Sequence, residues 1–155
     1  MEFKTIDDIL DFAISTEIEA EQFYLSLCEE ETLSGNRQTF QAFAKEEQRH
    51  VDLLQSLKAG NVVEGIEEYQ FKWIKDIKRS NLVLDIEYKK GMNYRDILML
   101  AIKREEKALA LYNEMQDRAD TDNSKKVFKI LCQEEAKHKL ALESMYDDYM
   151  AEMGD

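Results

Sequence analysis

The chain holds two histidines, and each follows a glutamate by three residues: Glu47-Gln48-Arg49-His50 and Glu135-Ala136-Lys137-His138. On a helix, positions i and i+3 share a face, so each pair presents a carboxylate and an imidazole together. That donor set suits iron, manganese or zinc better than calcium or magnesium. Glu47 lies within the stripe Phe40, Phe43, Ala44, Val51, Leu54, and Glu135 within Phe128, Leu131, Leu142, Met145. Steps of three and four turn each stripe towards a core. Two more glutamates sit in the same kind of place, Glu17 among Leu10, Ala13, Ala20, Tyr24 and Leu27, and Glu105 among Ile97, Leu98, Ala101, Ala108 and Tyr112. Burying one unpaired carboxylate costs several kcal/mol, and four neighbouring ones cannot all stay ionised. Two divalent cations cancel four carboxylates by charge count.

Four helices are needed to position these six side chains, and the sequence supplies them as one hairpin written twice. A shift of 88 residues lays Asp8-Ile9-Leu10 on Asp96-Ile97-Leu98, Glu17 on Glu105, Tyr24 on Tyr112, Phe40 on Phe128, Glu47 on Glu135 and His50 on His138. Periodicity and end signals predict helix A over about 6–31 with Thr5 as N-cap, and helix B over about 37–58 after the Ser34-Gly35-Asn36 breaker. Helix C follows from Asn93 to about Ala119, and helix D runs from near Asp122 to about Met150. The single domain of 1–155 then consists of hairpins 5–58 and 93–150 joined by a crossover, 60–92. The crossover carries Tyr69, Phe71, Trp73, Ile74 and Ile77 among lysines; a short amphipathic helix is expected over 64–79, then an irregular Leu82-Val83-Leu84 stretch. Long connections of this kind occur in one subgroup of four-helix bundles.

Neighbouring groups carry a bland reading beside the chemical one. Glu21, one turn after Glu17, is an accessory ligand or a partly exposed acid. Tyr24 and Tyr112 either hydrogen-bond a ligand carboxylate or simply fill the core. Glu46, Glu106 and Glu134 fall one residue off the stripes and read as surface charges, as do Glu29 to Glu31. Cys28 and Cys132 belong to no Cys-x-x-Cys pair, which excludes a zinc ribbon or four-cysteine iron site; they read as free thiols of a reducing compartment. The chain has no proline, five glycines and a net charge of −12. Such acidity disfavours nucleic acid and anionic membranes as partners. No apolar run reaches the length of a membrane span, and the acidic start is not a secretory signal; a cytoplasmic protein is expected.

The runs Ala13-Ile-Ser-Thr-Glu-Ile-Glu-Ala-Glu-Gln-Phe-Tyr24, Glu47-Gln-Arg-His50, Ala101-Ile-Lys-Arg-Glu-Glu-Lys-Ala-Leu-Ala-Leu-Tyr112 and Glu135-Ala-Lys-His138 resemble the rubrerythrin-like branch of the ferritin-like superfamily. The resemblance covers all four helices. It implies an all-α ferritin-like bundle with a non-haem centre of two iron ions held by Glu17, Glu47, His50, Glu105, Glu135 and His138, with manganese or zinc as other occupants. It implies oxidoreductase chemistry on peroxide or dioxygen, tied to oxidative-stress defence, and a homodimer. Two departures matter. Rubrerythrins carry a four-cysteine rubredoxin domain that is not in this sequence, so a separate electron-donor protein is expected. They also carry a further helix-C glutamate where this chain has Ala108, which bears on peroxidase turnover. A metal-binding protein that handles or oxidises iron without peroxidase turnover is the second reading. A metal-free helical interaction module is the third.

Overall fold

The structure is a computed structural model, and it describes residues 5–61, 66, 68–76 and 87–153. Four helices carry the fold: α1 (Ile6–Cys28), α2 (Arg37–Lys58), α3 (Tyr94–Arg118) and α4 (Asp122–Glu152). No strand occurs among the described residues. Each hairpin starts on a side-chain cap. Thr5 Oγ1 accepts from the Asp8 backbone N–H at 3.1 Å, and Asn93 Oδ1 accepts from that of Asp96 at 2.9 Å. Asp8 and Asp96 are repeat mates, so the two copies begin with the same device, which satisfies a backbone donor that helix geometry leaves free. Thr121 and Ser124 form a reciprocal capping box at the start of α4.

α1 packs along α2 and α3 along α4, while the hairpins meet more sparsely, α2 against α4 and α1 against α3. The apolar stripes close into two clusters, one above and one below the level of the glutamates. One contains Phe23, Tyr24, Leu27, Phe40, Phe43, Leu98 and Leu142; the other contains Leu10, Ala13, Leu54, Tyr112, Met115, Phe128 and Leu131. The repeat survives in the packing. Tyr24 stacks on Phe40 with ring centroids 6.2 Å apart, and Tyr112 stacks on Phe128 at 6.4 Å. Each fully buried aromatic or leucine of these layers contributes about 1.5–3 kcal/mol. Together the layers hold four backbones rigidly around a polar belt.

Two expectations are corrected. α1 ends at Cys28 rather than near Glu31, and a 3₁₀ turn (Glu31–Asn36) leads into α2. Glu30 is the cause: it is buried, accepting from Tyr88 Oη at 2.8 Å and from the Gly91 backbone N–H at 2.9 Å, so it anchors the far end of the crossover instead of lying on the surface. Glu29, by contrast, is exposed. The expected crossover helix is also absent from the described residues 68–76. There Tyr69 and Phe71 are partly buried and alternate with exposed Gln70 and Lys72, a period of two that suits extended chain. Lys72 donates its backbone N–H to Gln133 Oε1 of α4 at 3.3 Å. Trp73 is 85% exposed, so it caps nothing within the chain. The remainder of 64–79, and Leu82-Val83-Leu84, lie outside the described residues.

Candidate metal centre

The six residues singled out by spacing converge at mid-bundle, and all are buried. They form two overlapping groups, each able to offer ligand atoms within 4.8 Å of one another: Glu17, Glu47, His50 and Glu135, and Glu47, Glu105, Glu135 and His138. Glu47 and Glu135 belong to both. The shared carboxylates therefore come from the Glu-x-x-His helices α2 and α4, and each hairpin lends one glutamate to the other's group. Each imidazole turns Nδ1 inward, His50 to 3.0 Å from Glu135 Oε1 and His138 to 2.9 Å from Glu47 Oε1.

The phenols close the belt crosswise. Tyr24 Oη donates to Glu105 Oε1 at 2.6 Å, and Tyr112 Oη donates to Glu17 Oε1 at 2.5 Å. Each tyrosine thus braces a carboxylate of the opposite hairpin. Burial, then the charges of Glu105 and Glu17 respectively, push the phenols of Tyr24 and Tyr112 far up, so they remain donors. Glu21 is partly buried and belongs to neither group.

The electrostatics show a cluster short of positive charge. Burial, and then the neighbouring carboxylates Glu105 and Glu17, hold Glu47 and Glu135 well above the usual carboxylate range. Burial also pushes Glu17 upward, but its close contacts with Glu47 and His50 and the Tyr112 hydrogen bond outweigh it and bring its carboxyl down to about 2. Burial likewise opposes the ionised form of Glu105, and contacts with Glu135 and His138 win. Burial disfavours charge on both imidazoles, yet both are raised, His50 by Glu134 and Glu17, and His138 by Glu105, Glu46 and Glu47. Without cations, protons must do the neutralising. Glu17 Oε2, Glu47 Oε1, Glu105 Oε2, Glu135 Oε1, Nδ1 of both histidines and Nε2 of His50 are buried and make no well-formed hydrogen bond. Orphaned inward-facing oxygens and nitrogens of this kind are what a metal pair would take up, so the donor set fits one.

Behind the imidazoles lie two residues that the spacing argument missed. Glu134 Oε1 is 3.8 Å from His50 Nε2, and Glu46 Oε2 contacts His138 Nε2. Glu46 and Glu134 are repeat mates, each serving the histidine of the facing helix across the α2–α4 seam. Glu134 is buried and Glu46 half-buried, so neither is the freely solvated charge expected. The Glu46 contact is a hydrogen bond that fixes the His138 tautomer leaving Nδ1 free as a ligand, whereas Glu134 faces His50 Nε2 at a longer, ion-pair distance.

Over residues 8–90 and 96–154 the sequence matches the family model described as rubrerythrin. The chain belongs to the rubrerythrin family. A hypothetical protein from Pyrococcus furiosus has a similar solved structure, with a TM-score of 0.70 and 25% identity over 93% of this chain and 89% of that one. No functionally curated protein matches. For a rubrerythrin-family chain the six-residue belt is compatible with a di-iron site, and its donors suggest metal binding. No helix among the described residues is long and apolar enough to cross a membrane.

One side of the belt is open. A cavity of about 730 Å³ lies between α1 and α3, and Glu17, Glu47, Glu105 and Glu135 reach its wall, as do Ala20 and Ala108. Neither histidine lines it. The carboxylate side of the belt faces the cavity, and the imidazoles back onto the α2–α4 seam. Alanine at the repeat-matched positions 20 and 108 leaves this approach clear.

Proposed function

We propose that this rubrerythrin-family chain is a non-haem di-iron carboxylate oxidoreductase acting on peroxide or dioxygen in oxidative-stress defence. The observation that carries the reading is the pair of overlapping ligand groups sharing Glu47 and Glu135 at the wall of an open cavity. Glu17 and His50 would complete one metal site, and Glu105 and His138 the other. Bound iron supplies the electrons that reduce the oxidant.

The chain's residues do the rest. Tyr24 and Tyr112 keep their protons on Oη and hold Glu105 and Glu17 in place. Glu46 orients the His138 imidazole by a hydrogen bond, and Glu134 places its charge behind His50. The two aromatic layers exclude water from above and below, so charges in the belt act at low dielectric. The cavity between α1 and α3 is the entry for oxidant. In this reading the electrons come from a separate donor protein. The resemblance supports a homodimer, and the two free thiols support a reducing, cytoplasmic setting.

A second reading is an iron-handling or ferroxidase protein without peroxidase turnover, or one that holds manganese or zinc. Ala108 favours it, since this position bears no carboxylate although it lines the cavity beside Glu105. Anaerobic loading with ferrous iron followed by peroxide separates the two. Stoichiometric peroxide loss, with growth of near-ultraviolet absorption and repeated turnover on adding reductant, is expected. Iron oxidation by dioxygen without peroxide consumption would support the second reading. A metal-free interaction module requires that native protein carry no transition metal and that a chelator leave Tm unchanged.

A further inference from the structure

The α1–α3 cavity is far larger than an oxidant requires. At about 730 Å³ it falls within the roughly 300–1,000 Å³ range of organic-ligand sites, whereas a water-sized molecule occupies about 30 Å³. Its wall divides by chemistry. Phe12, Phe23, Leu100 and Leu111 give it an apolar side. Lys103, Arg104 and Lys107, one turn of α3, give it a cationic side, set against the acids Glu19 and Glu87. With the four belt carboxylates reserved for metal, these three cations outnumber the two remaining acids of the wall, Glu19 and Glu87. Arg104 is the pointed feature. Its guanidinium lies over the Phe23 ring, 4.8 Å from the centroid, and its Nε is buried with no hydrogen-bond partner. A planar cation held on an aromatic face, with a donor unused, is suited to a carboxylate.

We infer that this cavity binds an amphipathic organic monocarboxylate, with the carboxylate at Arg104 and the hydrocarbon along Phe12, Phe23, Leu100 and Leu111. The inference rests on the proposed reading only in naming the ligand class of the metal centre's open side. Binding itself requires the cavity and Arg104, not redox chemistry. Electrostatics sets the polarity: a cationic amphiphile would meet Lys103, Arg104 and Lys107, and a neutral one would offer Arg104 only an uncharged acceptor, a weaker partner than a carboxylate.

The test is calorimetric titration of the intact, metal-loaded chain with octanoate, octanol and octylamine. Saturable binding of one octanoate per chain is expected, with octanol at least about tenfold weaker and octylamine not bound, as loss of one charge-assisted hydrogen bond dictates. Arg104→Gln should weaken octanoate about tenfold or more and remove the preference over octanol, and Arg104→Lys should restore part of it. Ala20→Phe, which takes up cavity volume and leaves the Arg104 guanidinium in the chain, should weaken octanoate and octanol alike. Equal affinity for the three amphiphiles, no saturable binding, or unchanged octanoate affinity in a folded R104Q protein would each overturn the inference. Metal content and peroxide consumption measured on the same samples keep the two readings apart. Octanoate binding by a protein that takes up no iron sinks the oxidoreductase alone. Peroxide turnover without octanoate binding sinks this inference alone.

Discussion

His50 and His138 occupy equivalent places in the two hairpins, yet their supports differ. Behind His50, Glu134 is buried and held three ways: by Arg49 at 2.7 Å, by the Tyr69 hydroxyl at 2.6 Å and by Lys137 at 3.1 Å. Behind His138, Glu46 is 36% exposed, and His138 is the hydrogen-bond partner found for it. The repeat supplies both carboxylates, but among the described residues the crossover covers Glu134, its extended residues 69–76 packing on α4 and bringing Tyr69 to it. Duplication built two matched half-sites, and the connection between the copies clamps the carboxylate behind one of them.

Metal removal should produce the largest effect and expose the difference. A chelator takes away the cations that offset four buried carboxylates. At metal concentrations about 100-fold over Kd this costs about 2.7 kcal/mol, or roughly 5–10 °C in Tm for a domain of this size. Reloading should release about four protons per two divalent ions, from the raised carboxyls of Glu47 and Glu135 and from the two imidazoles, all of which must deprotonate to bind metal. In stripped protein, amide exchange should rise more around Glu46 and His138 than around His50 and Glu134. Equal rises would remove the asymmetry.

Next in size, Glu134→Gln should exceed Glu46→Gln. The first leaves Arg49, Lys137 and His50 facing a neutral amide and should cost about 1–3 kcal/mol and 10- to 100-fold in metal affinity. The second, at a partly exposed site, should cost under about 1 kcal/mol. Denaturant unfolding and metal titration of both variants decide this, and matching losses would mean the clamp is ornamental. Tyr69→Phe should then cost about 1 kcal/mol and raise exchange over 69–76 while leaving the His138 side unchanged.

The smallest effect is alkaline. Burial, then the hydrogen bond and charge of Glu134, raise the Tyr69 phenol above its ordinary value of 10. A proton held more tightly in the folded state stabilises it fully below pH 10 and is lost as pH climbs beyond that. Wild-type stability should therefore fall towards that of Tyr69→Phe above pH 10, and a constant gap between the two proteins would contradict the assignment.

The bundle and the six belt residues were legible in the sequence because two independent regularities coincide in them, helical spacing and the 88-residue repeat. Glu46 and Glu134 obey the repeat too, but they lie off their own helices' apolar stripes. A rule that scores one helix at a time cannot see a side chain whose partner is on the facing helix. The doubled Glu-Glu of 46–47 and 134–135 was the available signal. Lys139 and Glu143 escaped for a related reason: charged residues read as exposed, yet both are buried, 3.6 Å apart, with Asp76 of the crossover also meeting Lys139. The crossover was misread because aromatics among lysines suit an amphipathic helix as well as a strand-like segment. Only the α4 surface beneath Tyr69 and Phe71 selects between the two.

The reciprocal loan of Glu47 and Glu135 bears on origin. A single hairpin pairing with its own copy about a twofold axis would place the same six donors in the same belt, so fusion of two such genes needs no new ligand, only a connector. The present chain, severed in that connector and expressed as two fragments, should reassemble around added metal into a noncovalent heterodimer.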